Sequence, residues 1–242
     1  MRNIKLKIEY DGTDFCGWQI QVDDRTVQAE IERSLSMLTG SPVRVAGAGR
    51  TDSGVHAFAQ VANFKTESKL PVDVFVRGGN SRLPLDVRIV SAEEVAEDFN
   101  ARYSAKSRRY RYFIAKRKKA VGRRFSWYYW NPLNIEAMNA SCADFLGTRD
   151  FQSFCQAKAA VEHYLCHVKY AFWSETKDEL IFEICANRFL HNMVRILVGT
   201  MVEIGDNRLA STSIAEMLAA KDRAAAGATS PAHGLFLVEI EY

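Results

Sequence analysis

Ala46-Gly47-Ala48-Gly49-Arg50-Thr51-Asp52-Ser53-Gly54-Val55-His56-Ala57 lies between two strand-like runs, Val43 to Val45 before it and Gln60 to Phe64 after it. It therefore reads as a loop between strands. Its small residues surround one arginine and one aspartate. Glycine permits backbone conformations and close approaches closed to other residues, so a carboxylate here is within reach of a bulky ligand. Asp52 is a candidate catalytic carboxylate. The plainer alternative is a turn former that caps its own backbone. The run lacks the Lys-Ser/Thr of a P-loop and the G-x-G-x-x-G spacing, which argues against binding of a free nucleotide.

Outward from this loop, Ile4, Leu6, Ile8 and Tyr10 alternate as in a half-buried strand. Asp11-Gly12-Thr13 is a turn, and Phe15 to Gln19 is an aromatic loop. Thr26 is placed as an N-cap ahead of a helical face of Val27, Ile31, Leu35 and Leu38, with Gly40 as its C-cap. Val72 to Val76 opens a second helix that ends near Gly78-Gly79, and Val87 to Val90 is a strand. The second half repeats this style. Tyr110 to Ile114 is an aromatic strand, and Asn134 caps a helix that Gly147 ends. Val168 to Trp173 and Leu180 to Ala186 are paired strands. Phe189 to Ile204 is the most apolar helix, Ser211 caps another, and Leu235 to Ile240 is a final strand. The pattern predicts an α+β fold in two domains, 1–104 and 105–242.

The N-terminus has no signal-peptide core, and no apolar run approaches the roughly 18 residues that span a bilayer. Five widely spread cysteines form no disulfide framework. A cytoplasmic protein with no membrane association is expected. Residues 106 to 124 hold ten Lys or Arg, and no acid occurs from Phe99 to Ile135. Arg109, Arg111, Lys116, Arg117, Lys118 and Lys119 are interleaved with Tyr110, Tyr112 and Phe113, a composition suited to a polyanion with stackable bases. A solvated charged hairpin is the bland alternative. Arg195 interrupts an apolar helix and suits pairing with a buried carboxylate such as Asp52, or else snorkels at the surface. His56 follows the glycine loop, where it either touches a phosphate or orients the loop. Tyr110 is either a core aromatic or a ring offered to a base. Cys155, His163, Cys166 and His167 do not have the spacing of a zinc knuckle, and no metal is expected.

Ala48-Gly49-Arg50-Thr51-Asp52-Ser53-Gly54-Val55-His56-Ala57 with Gln60-Val61 resembles the signature of the tRNA pseudouridine synthase A family. Tyr10-Asp11-Gly12-Thr13, Gly17-Trp18-Gln19, Arg109-Tyr110-Arg111-Tyr112, Asp150-Phe151, Met193-Val194-Arg195 and Gly234-Leu235 are similar to further blocks of that family, in order. The resemblance implies a tRNA-modifying enzyme that converts uridine to pseudouridine at positions 38, 39 and 40 without cofactor or metal. It implies two RRM/ferredoxin-like domains, with antiparallel sheets joined into one large sheet and the active-site cleft between them, and a homodimer. By the same resemblance Asp52 is the catalytic aspartate, Tyr110 stacks on the target base, Arg195 pairs with Asp52, Leu235 lines the base pocket and Arg50 helps extrude the base. Ser53, Asn100, Arg149 and Cys166-His167 depart from the family's usual residues. A non-catalytic RNA-binding module is the competing reading. Tritium release from C5-labelled uridine separates the two.

Overall fold

In the computed structural model, residues 1–156, 161–210 and 213–242 are described. The fold is α+β, and the chain divides into two compact units, Met1–Lys106 with Phe236–Tyr242 and Ser107–Leu235.

The first unit opens with β1 (Arg2–Tyr10), in which Ile4, Leu6 and Ile8 are fully buried and alternate with more exposed residues. Next come α1 (Val27–Thr39), β2 (Ala46–Gly47), β3 (His56–Thr66), α2 (Val72–Asn80) and β4 (Val87–Val95). β1 is antiparallel to both β3 and β4, with Ile4 opposite Phe64 and Leu6 opposite Ala62. α1 buries Val27, Ile31 and Leu35 and ends at Gly40, whose φ of 71° is the left-handed C-cap conformation. Thr26 stands at the N-cap in extended geometry, but its hydroxyl makes no cap bond and is buried without a hydrogen-bond partner. Val43 to Val45, expected as a strand, is not one. The Val43 amide donates to Ser36 Oγ at 2.8 Å and the Val45 amide to Glu32 Oε1 at 3.0 Å. Side chains of α1 thus take the donors that a strand partner would need, and only Ala46–Gly47 pairs with β3.

The second unit contains β5 (Ser107–Ala115), β6 (Trp127–Tyr128), α3 (Ile135–Cys142), β7 (Gly147–Asp150), β8 (Leu165–Glu175), β9 (Glu179–Ala186), α4 (Met193–Gly205) and α5 (Ser213–Ala220). Its strands run in the order β5-β9-β8-β7, antiparallel throughout, with β6 beside β5. Asn134 caps α3, its Oδ1 accepting from the Ala137 amide at 3.0 Å. α4 begins at Met193, four residues later than the apolar run suggests, because Asn192 has a φ of 62° and breaks the helical path. Ser211, the expected cap of α5, lies outside the described residues. The final strand, β10 (Leu235–Glu241), belongs mostly to the first unit: Phe236 and Leu237 pair in parallel with His56 and Ala57.

Candidate active site

Residues 48–55 form the turn between β2 and β3, and the Asp11–Gln19 segment holds it from behind. The Trp18 amide donates to the Thr51 carbonyl at 3.1 Å and the Gly54 amide to the Phe15 carbonyl at 3.3 Å. A methyl on Gly12 would stand 2.0 Å from the Val55 carbonyl oxygen, and one on Gly47 would stand 2.6 Å from Trp18 Nε1. These glycines therefore permit close packing behind the loop, a use distinct from cradling a ligand. Tyr10 and Thr51 join their hydroxyls at 2.8 Å, and Gln60, fully buried, donates from Nε2 to the Gly49 carbonyl at 3.0 Å. Burial raises the Tyr10 phenol far above its ordinary value, keeping it neutral. Asp52 is partly exposed on this braced turn, and its carbonyl accepts from the Val55 amide at 3.1 Å. Arg50 is exposed.

His56 is only 1% exposed. Its Nδ1 accepts from the Gly12 amide at 3.0 Å and lies 3.1 Å from Asp11 Oδ1, and its ring stacks on Phe236 at 4.5 Å. A ring so enclosed orients the loop. A phosphate contact would require the loop to move.

In the second unit Tyr110 lies on β5, 8% exposed, with its ring edge-on to Phe189 at 5.1 Å. Arg195 lies in the first turn of α4, where Nη1 donates to Asn192 Oδ1 at 2.8 Å and Nε to the Ser230 carbonyl at 2.9 Å. The Ser230 amide returns a bond to the Arg195 carbonyl at 3.1 Å. Gly199 is required beneath this loop, since a methyl there would meet the Ala228 carbonyl oxygen at 1.8 Å. Arg195 is therefore a guanidinium fixed in direction by its own helix and by the 228–231 loop. Leu235 heads β10 and is buried. The sequence pattern did not single out Asn192 or Ser230. The signal was present in an asparagine directly ahead of an apolar helix, a position open to left-handed backbone.

The basic run is not acid-free in space. Glu183 on β9 is 7% exposed and bonds Arg111 Nε, with Arg109 Nη1 at 3.4 Å from the same carboxylate. Burial pushes this carboxyl up, but the Arg111 bond and the charges of Arg111 and Arg109 hold it below the usual carboxylate range. Lys116 pairs with Glu175, Arg117 with Asp178 at 3.1 Å and Lys119 with Glu179. Lys118 lies over the Tyr128 ring at 5.8 Å. Strand pleating also turns Arg109 and Arg111 to the face of β5 opposite Tyr110 and Tyr112. The sequence suggested one basic patch. The hairpin of β8 and β9 instead supplies it with acids, of which Glu175 and Asp178 form exposed pairs that are individually weak.

Cys155 and Cys166 are buried, and burial raises both thiols, Cys166 to about 12. His167 Nδ1 lies 2.9 Å from Thr148 Oγ1. Among the described residues no group of three or more His, Cys, Asp or Glu is placed to hold a metal ion.

A family model described as tRNA pseudouridine synthase matches residues 7–104 and 141–242. The chain belongs to the tRNA pseudouridine synthase family. Among its relatives, the tRNA pseudouridine synthase A of Halalkalibacterium halodurans is 47% identical, the alignment covering 97% of this chain and 90% of that one. Those of Caldicellulosiruptor bescii and Geotalea daltonii are 43% and 44% identical, each aligned over the full length of both chains. Asp52, Arg195 and Leu235 fall inside the blocks matched to the synthase family, while Tyr110 and Lys116 to Lys119 lie in the stretch between them.

Proposed function

We propose that the protein isomerises uridine to pseudouridine at positions 38, 39 and 40 in the anticodon stem-loop of tRNA, acting as a cytoplasmic homodimer. Full-length identity to tRNA pseudouridine synthases A carries this reading, and the braced, accessible Asp52 supports it. In the reaction the C1′–N1 bond breaks and a C1′–C5 bond forms, C5 loses its proton and N1 gains one. Atoms and electrons balance within the nucleotide, so the scheme draws on no redox co-reactant. The target base must leave its stack, at a cost of a few kcal/mol.

The proposed roles follow from chemistry and placement. Asp52 acts as the carboxylate, attacking C1′ or removing a sugar proton. Arg195 supplies the positive charge that such a carboxylate needs when water is excluded. Tyr110 and Leu235 hold the detached uracil while it turns, with the Tyr110 hydroxyl near the C5 proton. Arg50, exposed beside Asp52, assists extrusion of the base. Lys116 to Lys119 meet phosphates, with Lys116, Arg117 and Lys119 exchanging their carboxylate partners for phosphates. Arg109 and Arg111 serve the phosphate backbone on the other face of β5. His56 holds the loop. The chain then works as an N-terminal domain carrying the Asp52 loop and a C-terminal domain carrying Tyr110 and Arg195.

Tritium release from tRNA containing C5-labelled uridine tests the reading. The wild type should release tritium, and Asp52→Asn or Asp52→Ala should release none above background while still retaining tRNA on a filter. Turnover by Asp52→Ala at the wild-type rate would remove Asp52 from the chemistry, and no release by the wild type would remove the activity.

A further inference from the structure

Within the second unit a cavity of about 480 Å³ opens between Trp127, Tyr129, Trp130, Glu203 of α4, Asp206 just past its end, and the 228–231 loop. That volume lies within the range of small-molecule sites. Its aromatic wall is rigid. Tyr129 is fixed at its hydroxyl, which donates to Asp206 Oδ2 at 2.7 Å and accepts from Arg208 Nη2 at 2.9 Å. Asn131 Nδ2 donates to Asp206 Oδ1 at 3.0 Å, and Trp127 meets Tyr129 edge-on at 5.1 Å. Trp130 stacks on this fixed ring, 5.3 Å away and 18° from parallel. The Trp130 indole is nevertheless 71% exposed. A large ring held flat on a braced support and left in water is a stacking platform with no occupant from its own unit.

We propose that this cavity is a subsite for an unpaired nucleotide of the RNA substrate, whose base stacks on the open face of Trp130. The proposal rests on the tRNA reading above. Three features select a nucleotide. Aromatic faces take bases regardless of sequence. Arg208, whose Nε lies 3.1 Å from Asp206 Oδ2, brings a guanidinium to the rim that a phosphate can share. Asp206 is taken up by Tyr129, Asn131 and Arg208, and the Glu203 carboxylate accepts from an exocyclic amino group, which favours adenine, cytosine or guanine over uracil. Location adds a consequence, because the loop forming one wall is bonded in both directions to Arg195. A nucleotide seated here would therefore anchor the strand close to the arginine proposed for the chemistry.

The test is a double-mutant cycle between protein and RNA. Anticodon-arm hairpins are made with a single abasic residue at each loop position in turn, the target uridine excepted. KM and saturating single-turnover rate are measured for wild type, Trp130→Ala and Trp130→Phe, with thermal melting and sedimentation of each protein. We expect Trp130→Ala to raise KM by roughly 5- to 160-fold, the span of one base–aromatic stack, with the saturating rate unchanged and Trp130→Phe largely restoring KM. At one abasic position the Trp130→Ala penalty should vanish. An equal penalty at every abasic position, or an unchanged KM, overturns the proposal, as does a change of oligomeric state that accounts for the whole effect. In each of those cases an active wild type leaves the synthase reading standing. A wild type that forms no pseudouridine overturns both.

Discussion

Gly17 carries a φ of +85°, and a methyl there would stand 2.6 Å from the Thr51 carbonyl oxygen, one residue before Asp52. Conformation and space thus demand glycine at the same position. Gly17→Ala should lower the unfolding free energy by roughly 1–3 kcal/mol, the usual cost of a disallowed backbone plus displacement of a neighbour. It should reduce turnover more than tRNA retention, because the displaced neighbour supports the loop that carries Asp52, the proposed catalytic group. Urea titration and tritium release measured on one preparation check both halves, and an unchanged urea midpoint would contradict the packing argument. The residue scale also separates two kinds of candidate. The accessible placement of Asp52 on a turn was legible from the loop that carries it, since small residues cluster around that carboxylate. The support given by Gln60 and Tyr10 was not, because it depends on side chains converging across β1 and β3.

Elements show where periodicity suffices and where it fails. β1 and α1 follow their apolar patterns closely, since each buries one face against its own unit. α4 was read four residues too long because hydrophobicity continues through Phe189 and Leu190 while the backbone turns at Asn192. The acids opposing the basic run were invisible for a different reason: they lie some 60 residues away in sequence and meet it only through the pairing of β5 with β9. The short turn Ala232–Gly234 leading into β10 yields a pH prediction. Burial lowers the His233 pKa below its ordinary 6.5, only partly offset by a hydrogen bond to the Ser126 backbone. Because the folded-state value is depressed, the stabilising contribution is present above about pH 6.5 and is lost as pH falls towards the lower folded value. The urea midpoint should therefore drop between pH 7 and pH 5, and His233→Gln should flatten that drop. A variant whose profile parallels the wild type would assign the decline to other groups.

For the whole molecule, the notable fact is the return of the chain to its first unit. Phe236 is 6% exposed and Leu237 1%, each paired with β3 at the base of the Asp52 loop. Burying two such side chains contributes roughly 1.5–3 kcal/mol each, a large part of a typical domain's 5–15 kcal/mol. A protein truncated after Leu235 should consequently lose the ordered Asp52 loop, seen as rapid proteolytic cleavage within 48–55. Adding the 236–242 segment back by fusion after Lys106 should restore protection to a 1–106 fragment. Equal resistance with and without the segment would show the first unit to be self-sufficient. Among the described residues no helix is long and apolar enough to cross a membrane.

The stacking of His56 on Phe236 also has a meaning in time. A chain emerging from the ribosome offers its N-terminal segments first, so the loop bearing Asp52 is made long before the strand that steadies it. During that interval the nascent first unit lacks one strand, and the ring that anchors its loop has no stacking partner. Maturation of the Asp52 loop is thereby coupled to synthesis of the second unit. A product stopped short of Phe236 would carry Asp52 without the strand that steadies its loop, so translation itself would proofread the proposed site.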